Sequence, residues 1–223
     1  RCAMGVARRS LCSLVALRAG SGAFQLVGLA SARRHGRSAT MPTADSGTEA
    51  RWERGRELIE HIKVLDEDFA VDFLAQADAS GGIDLAATDD FGSVPLLLAA
   101  RAGLWRLCVV LLERPDIDVN AANHFGSTAL ICAATNGHFD ICDALLSRSA
   151  DVNHRTRLGA TALSKAAACG RAAVCERLLA AGSLVEARTK LGETAMDLAR
   201  KGGHIELADF LARAPTSDPL QAP

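Results

Sequence analysis

The residue types in this chain that could carry metal or thiol chemistry are seven cysteines and six histidines, and their spacing forms no recognisable site. Structural zinc sites and redox dithiols usually place cysteines in CxxC pairs, and the sequence contains no such pair. Instead, three cysteines recur 34 and 33 residues apart, at Cys108, Cys142 and Cys175. The spacing predicts no metal site, and the lack of CxxC pairs favours a reducing compartment.

Motifs for covalent catalysis and nucleotide binding are absent as well. The sequence has no GxSxG nucleophile turn, no phosphate loop ending in Gly-Lys-Ser/Thr and no HExxH helix. We interpret the glycine pairs at 81–82 and 202–203 as turns. Four scattered histidines are interpreted as structural or merely exposed: His124, His138, His154 and His204. The sequence therefore predicts no enzyme, no cofactor and no metal.

The elements that would position any functional residue are copies of one unit. The phrase Phe-Gly-Ser-Thr-Ala-Leu at 125–130 has a related copy in each unit, and its glycine recurs after 34, 33 and 33 residues. These glycines are Gly92, Gly126, Gly159 and Gly192. A fixed period of about 33 residues predicts a stacked array of supersecondary units. Such an array offers a long binding surface rather than a closed pocket.

Each unit contains two stretches that favour helix. The first follows the phrase, is rich in Ala and Leu, and ends at a glycine such as Gly103 or Gly137. The second has apolar residues at helical spacing, as in residues 141–146. A short link, for example Asp-Val-Asn at 118–120, completes the unit. Neither helix can bury its apolar side alone, so neighbouring units must stack.

On these residues the chain resembles the ankyrin repeat family. Thr128, Thr161 and Thr194 stand where the family's Thr-Pro-Leu-His phrase begins. The resemblance implies an all-α solenoid of paired antiparallel helices with β-hairpin-like links. It implies four repeats, at 89–122, 123–155, 156–188 and 189–213, after a degenerate capping repeat at 51–88. Residues 214–223 are expected to be a disordered tail, and residues 1–50 a disordered or transit-peptide-like segment.

The chain departs from the family phrase at several positions. The histidine of the phrase is replaced in every repeat, by Leu97, Ile131, Ser164 and Asp197. Val94 replaces the first threonine, and Ser149 replaces the glycine after a second helix. Losing the threonine–histidine hydrogen bond predicts a stability loss of about 1 kcal/mol per bond.

The resemblance also gives the cysteines a place. Cys108, Cys142 and Cys175 fall on the inner face of the second helix, where the family usually has valine. Adjacent units lie about 10 Å apart, too far for a disulfide or shared zinc, so these cysteines are predicted to be core residues. Cys169 ends a first helix beside Arg171, and two interpretations stay open: an inert surface cysteine or a reactive thiol.

Charge is distributed unevenly along the chain. All 26 acidic residues lie from Asp45 onward, whereas seven of the 25 basic residues precede it, which leaves 18 − 26 = −8 for the remainder. An acidic globular part argues against nucleic acid as the main partner. The apolar stretch at 11–17 is too short to span a membrane. The acid-free first 44 residues are typical of a mitochondrial or plastid transit peptide, and the alternative is that translation starts at Met41.

Three rows of residues are expected to line the concave face that the resemblance implies. The residue before each phrase glycine forms an apolar row: Phe91, Phe125, Leu158 and Leu191. The preceding residue changes from acidic to basic along the array: Asp90, His124, Arg157 and Lys190. Two positions earlier, the same trend ends in Arg155 and Arg188. An apolar row flanked by basic residues fits an acidic, partly apolar peptide or protein surface. The alternative is that the tips pack on their neighbours and the charges are ordinary solvated groups.

Taken together, the sequence predicts a non-catalytic adaptor that binds a partner protein or peptide, monomeric and without a membrane span. We expect it in the cytoplasm or nucleus, or in a mitochondrion or plastid if residues 1–40 are a genuine transit peptide. Two rival hypotheses remain: a regulatory or targeting arm of a larger enzyme whose catalytic domain lies outside this sequence, and a structural or chaperone-like organelle protein.

Overall fold

The computed structural model describes residues 46–79 and 82–214, and all regular structure within them is helical. The ten helices of this part are α1 Ser46–Lys63, α2 Glu67–Ala79, α3 Pro95–Ala102, α4 Trp105–Leu112, α5 Ala129–Asn136, α6 Phe139–Ser147, α7 Ala162–Ala168, α8 Ala172–Ala180, α9 Ala195–Lys201 and α10 Ile205–Arg213. Residues 215–223 of the predicted tail at 214–223, and residues 1–45 of the predicted N-terminal segment at 1–50, lie outside the described residues.

Helices pair within units and stack between units in two layers. Each odd-numbered helix packs on the even-numbered helix that follows it. The pair α1 and α2 is N-terminal, and the other four pairs form the four regular units. The odd helices also pack on one another in sequence from α1 to α9, and the even helices do so from α2 to α8. This arrangement confirms the predicted all-α repeat solenoid.

Helix starts and stops follow the repeated phrase closely. Thr128 begins α5, its Oγ1 accepting a hydrogen bond from the Ile131 backbone N–H at 3.5 Å. In the next two units the cap is reciprocal, because the side chains of Ser164 and Asp197 accept a hydrogen bond from the backbone N–H of the capping threonine. The residues that replaced the family histidine in those units thus cap helices instead of bridging units. In the first unit Val94 provides no side-chain cap, and Pro95 at the first helical position supplies the helical φ.

The links between units are turns, so the β-hairpin-like geometry was not confirmed as strand pairing. Each turn closes on itself through two backbone hydrogen bonds, for example from Asn123 N–H to the Ser127 carbonyl at 3.0 Å. A single bond then crosses to the preceding link, as from Arg157 N–H to the Phe125 carbonyl at 3.0 Å. One cross-link per pair of turns is too few to form a strand ladder.

The core contains the repeated cysteines, as the sequence predicted. Cys108, Cys142 and Cys175 are fully buried in the second helices. Burial, with a smaller contribution from a neighbouring carboxylate, raises the pKa of each of these thiols to about 12. They therefore pack as small apolar residues with no thiolate at neutral pH. Cys169 is exposed at the end of α7. This position fits both an inert surface cysteine and a reactive thiol, so both interpretations stay open.

The N-terminal pair of helices differs from its sequence prediction in extent. The degenerate capping repeat was expected to begin at residue 51, whereas α1 begins at Ser46 and ends at Lys63. The chain then turns through Leu65, which has φ +62° and is 62% exposed. Leu65 lies between the two helices of its unit, as Gly103 does in the next, so the turn geometry is retained without the glycine. None of the helices in the described ranges is both long and apolar enough to cross a bilayer.

Candidate functional site

The four interhelical turns that carry the phrase glycines project as a row, and we call them fingers 1 to 4. They comprise residues 88–92, 122–126, 155–159 and 188–192. Each is a β-turn in which the glycine N–H donates to the carbonyl three residues earlier, at 2.8 to 2.9 Å. The glycine in each finger has a positive φ, between 73° and 79°, a conformation that other residues seldom adopt.

A polar side chain holds each finger in shape, and the sequence analysis missed it. In finger 2 the Asn123 carboxamide oxygen accepts from the Phe125 and Ser127 N–H groups, both at 3.0 Å. Asp89 does the same in finger 1, at 2.9 and 2.7 Å. In fingers 3 and 4 the hydroxyl of Thr156 or Thr189 accepts one such bond. The signal was present as an Asp, Asn or Thr three residues before every phrase glycine.

Close contact between fingers keeps their spacing uniform. A backbone bond of 2.9 to 3.0 Å joins each finger to the next, from His124, Arg157 and Lys190 to the carbonyl of the preceding apolar residue. At Gly126 an added Cβ would lie 2.9 Å from the Arg157 nitrogen, so no larger residue fits there without displacement of the backbone. The predicted tip residues are thus displayed on a regular frame.

The predicted apolar row is exposed at every position, but its two halves differ. Phe91 and Phe125 are 56% and 59% exposed, and their ring centroids lie 6.3 Å apart, so they also contact each other. Leu158 and Leu191 are 68% and 83% exposed. The aromatic half of the row therefore packs in part on its neighbour, and the leucine half is largely open to solvent.

The predicted basic residues are exposed on fingers 3 and 4. Arg155 and Arg188 donate to backbone carbonyls, of Arg188 at 3.5 Å and Gly192 at 2.9 Å. Within residues 46–79 and 82–214, neither they nor Arg157 and Lys190 form an ion pair with a carboxylate. Arg177, by contrast, bonds Asp143 at 2.6 Å.

The remaining predicted tip residues lie at the N-terminal end of the row. Asp90 is exposed on finger 1, and His124 is exposed on finger 2 with its ring against Gly92, where an added Cβ would lie 2.6 Å from the ring. All ten predicted residues are thus brought into one row of four fingers, with acidic charge at one end and basic charge at the other.

Polar side chains at the ends of the first helices α5 and α9 are engaged within the protein. Asn136 donates to the Arg101 carbonyl at 2.9 Å, and the Thr135 hydroxyl donates to the Ile131 carbonyl at 2.7 Å. Lys201 forms an ion pair with Glu193, and this hydrogen bond raises the pKa of the lysine. These side chains are less available to a partner than the finger residues.

A shallow depression adjoins the basic end of the finger row. It is lined by Arg188, Thr194 and Asp197 together with apolar residues, among them Val185, Met196 and Leu211. The Asp197 carboxylate accepts hydrogen bonds from the Thr194 N–H at 3.0 Å and hydroxyl at 2.8 Å. These bonds, and to a lesser extent Arg188 and Arg200, lower the pKa of Asp197. In the described part of the chain no three His, Cys, Asp or Glu side chains are grouped so that they could hold a metal ion.

Comparison with known proteins agrees with this architecture. Residues 58–156 match a family profile described as ankyrin repeats in three copies, and residues 145–199 match one described as ankyrin repeats in many copies. No curated protein sequence matches the chain. Ankyrin repeats are generally protein–protein interaction modules and are typically not catalytic. The two profile matches, the period of 33 to 34 residues and the two-layered stack of helix pairs lead to one conclusion: the chain belongs to the ankyrin repeat family.

Proposed function

We propose that the chain is a non-catalytic adaptor that binds an acidic, partly apolar segment of a partner protein along fingers 3 and 4. The observation that carries this proposal is the combination of four exposed cations that form no ion pair within the described residues and two leucines that are 68% and 83% exposed. The cations are Arg155, Arg157, Arg188 and Lys190.

Charge and apolar surface would contribute in different ways. A single exposed ion pair contributes about 0 to 1 kcal/mol, so the four cations act mainly on the rate and specificity of association. Burial of a leucine side chain contributes up to about 1.5 to 3 kcal/mol, so Leu158 and Leu191 would supply most of the affinity. A segment that carries both carboxylates and large apolar side chains matches these features best.

A peptide-binding experiment tests the proposal. The full chain is titrated against labelled peptides that combine Asp and Glu with Leu and Phe, and against the same peptides with Lys in place of every acid. We expect affinity for the acidic set alone, falling as salt is added, because exposed charges are screened. Preference for the basic set, or equal binding of both, would contradict the proposal.

A matched pair of variants locates the binding surface. Arg157→Glu/Lys190→Glu reverses two finger charges. Arg148→Glu/Arg213→Glu makes the same change in net charge at two exposed residues, one directly after α6 and one at the end of α10. We expect at least about a tenfold weaker affinity for the first variant, since about 1.4 kcal/mol corresponds to a factor of ten. The second variant should bind like the wild type. Equal losses in both variants would show that net charge alone is responsible.

A further inference from the structure

The finger row carries a charge gradient that is complementary to itself when reversed. Finger 1 has two carboxylates, Asp89 and Asp90, whereas fingers 3 and 4 carry two cations each. The Asp89 carboxylate accepts hydrogen bonds from the Phe91 and Ser93 backbone N–H groups. An apolar side chain is exposed on every finger, so the apolar row runs the whole length of the gradient.

We propose that this row is a self-association surface, on which a second copy of the chain binds in antiparallel orientation. In a two-fold arrangement the same patch on both copies makes the contact. Finger 1 of one copy then faces finger 4 of the other, so acid meets base twice, and fingers 2 and 3 face each other near the axis. The parallel arrangement would instead place the acidic finger 1 and the basic fingers 3 and 4 each against its own copy, which is unfavourable.

Uniform finger spacing allows all four contacts to form together. The three backbone bonds that join neighbouring fingers have nearly equal lengths, 2.9 to 3.0 Å. With about 10 Å between units, the row is about 30 Å long. Because its spacing is regular, reversing the row leaves the fingers in register. The four apolar residues of one copy then meet those of the other: Phe91, Phe125, Leu158 and Leu191.

The expected association is weak and excludes the partner. Four fingertips per copy bury less than the roughly 1,200 Å² of a standard stable interface, so we expect a dissociation constant in the micromolar range or above. This departs from the monomer expected from the sequence. The proposal does not rest on the proposed function, but it uses the same cations on fingers 3 and 4, so self-association and partner binding would compete.

Sedimentation equilibrium of the full chain tests the proposal, with two charge-reversal variants. Wild type should shift from monomer to dimer mass with rising protein concentration at low salt. Asp90→Lys alone and Lys190→Asp alone each place like charges at both outer contacts. Each should associate at least about tenfold more weakly, a change of about 1.4 kcal/mol. Circular dichroism checks that both variants are folded.

Mixing the two variants distinguishes antiparallel pairing from a general charge effect. In a mixed dimer, one outer contact joins the two substituted positions, so the lysine introduced at 90 in one copy faces the aspartate introduced at 190 in the other. The second outer contact pairs the native Lys190 with the native Asp90. Both contacts are therefore favourable. An equimolar mixture should therefore recover dimer mass that neither variant shows alone. A wild type that stays monomeric at millimolar concentration, or a mixture that associates no better than its components, would overturn the proposal. Peptide binding measured at dilute concentration tests the proposed function independently of either result.

Discussion

Ser149 is the position at which the sequence departs from the family and the backbone is strained. It has φ +59°, in the left-handed region, immediately after helix α6. The equivalent position one unit later is Gly182, with φ +87°. The same two hydrogen bonds close both turns: Ser149 N–H donates to Leu146 and Ala150 N–H to Leu145, each at 3.1 Å. The turn is therefore intact, and the cost of the substitution is conformational.

Changing Ser149→Gly should stabilise the protein. A residue with a Cβ in the left-handed region destabilises the folded state by about 1 to 2 kcal/mol. Glycine removes this strain, but it raises the conformational entropy of the unfolded chain, which offsets about 0.4 to 1 kcal/mol of the gain. The net gain is about 0.5 to 1 kcal/mol, because the Ser149 side chain is exposed and no packing is lost. For a chain of this length that corresponds to a rise in Tm of about 1 to 4 °C.

The assay is urea unfolding followed by circular dichroism, with Gly182→Ser as the mirror-image control. A Cβ at Gly182 would meet no atom within 4 Å, so that change should cost strain alone, with a similar magnitude and the opposite sign. The midpoint should rise for the first variant and fall for the second, at constant m. A neutral or lowered midpoint for Ser149→Gly, beside a lowered one for Gly182→Ser, would refute the strain argument at position 149.

Three further outcomes are expected. Gly103→Ala should lower the free energy of unfolding by about 2 to 3 kcal/mol, because φ is +80° and a Cβ would lie 2.6 Å from the His138 ring. The control Gly203→Ala has the same φ and no such contact, so it should lower the free energy of unfolding by only about 1 kcal/mol. Equal urea midpoints for the two variants would exclude a role for the ring. Because hydrogen bonds from Thr194 lower the pKa of Asp197, its stabilising effect should be complete above the unfolded value of about 3.9 and decline as pH falls through the lowered pKa. The midpoint difference between wild type and Asp197→Ala should therefore shrink in acid, and a difference that grows would contradict this assignment. In thiol labelling followed by mass spectrometry, exposed Cys169 should react in the native protein. The three buried thiols, whose pKa values are about 12, should react only in urea: Cys108, Cys142 and Cys175. Labelling of these three in the native protein would show that the core opens.

Much of the fold could be predicted because its determinants recur in the sequence at one period. Thr128 and Gly137, which begin and end α5, are local signals that act through their own backbone bonds. The extent of α1 could not be predicted in this way, because its polar first turns carry no periodic apolar pattern. The turn at Leu65 could not be predicted either, since a leucine with positive φ is tolerated only where the packed helices on either side determine the turn.

The candidate site was predictable in its positions but not in its availability. Register alone aligned the tip residues, and the structure places them in one row. Whether a cation is free depends on neighbours from other units: Arg177 reaches a carboxylate 34 residues away, whereas Arg157 meets none in the described residues. The role of Asp89 and Asn123 as turn-forming side chains could likewise be recognised only once the geometry of the fingers was known.

Quantitative affinity capture from cell extract, with the full chain and its two matched variants as bait, tests the proposed role of the fingers most directly. We expect a set of proteins that is retained by wild type and by Arg148→Glu/Arg213→Glu but lost from Arg157→Glu/Lys190→Glu. Such a set would assign partner binding to fingers 3 and 4. Identical sets on all three baits would contradict that role and place the binding surface elsewhere on the array.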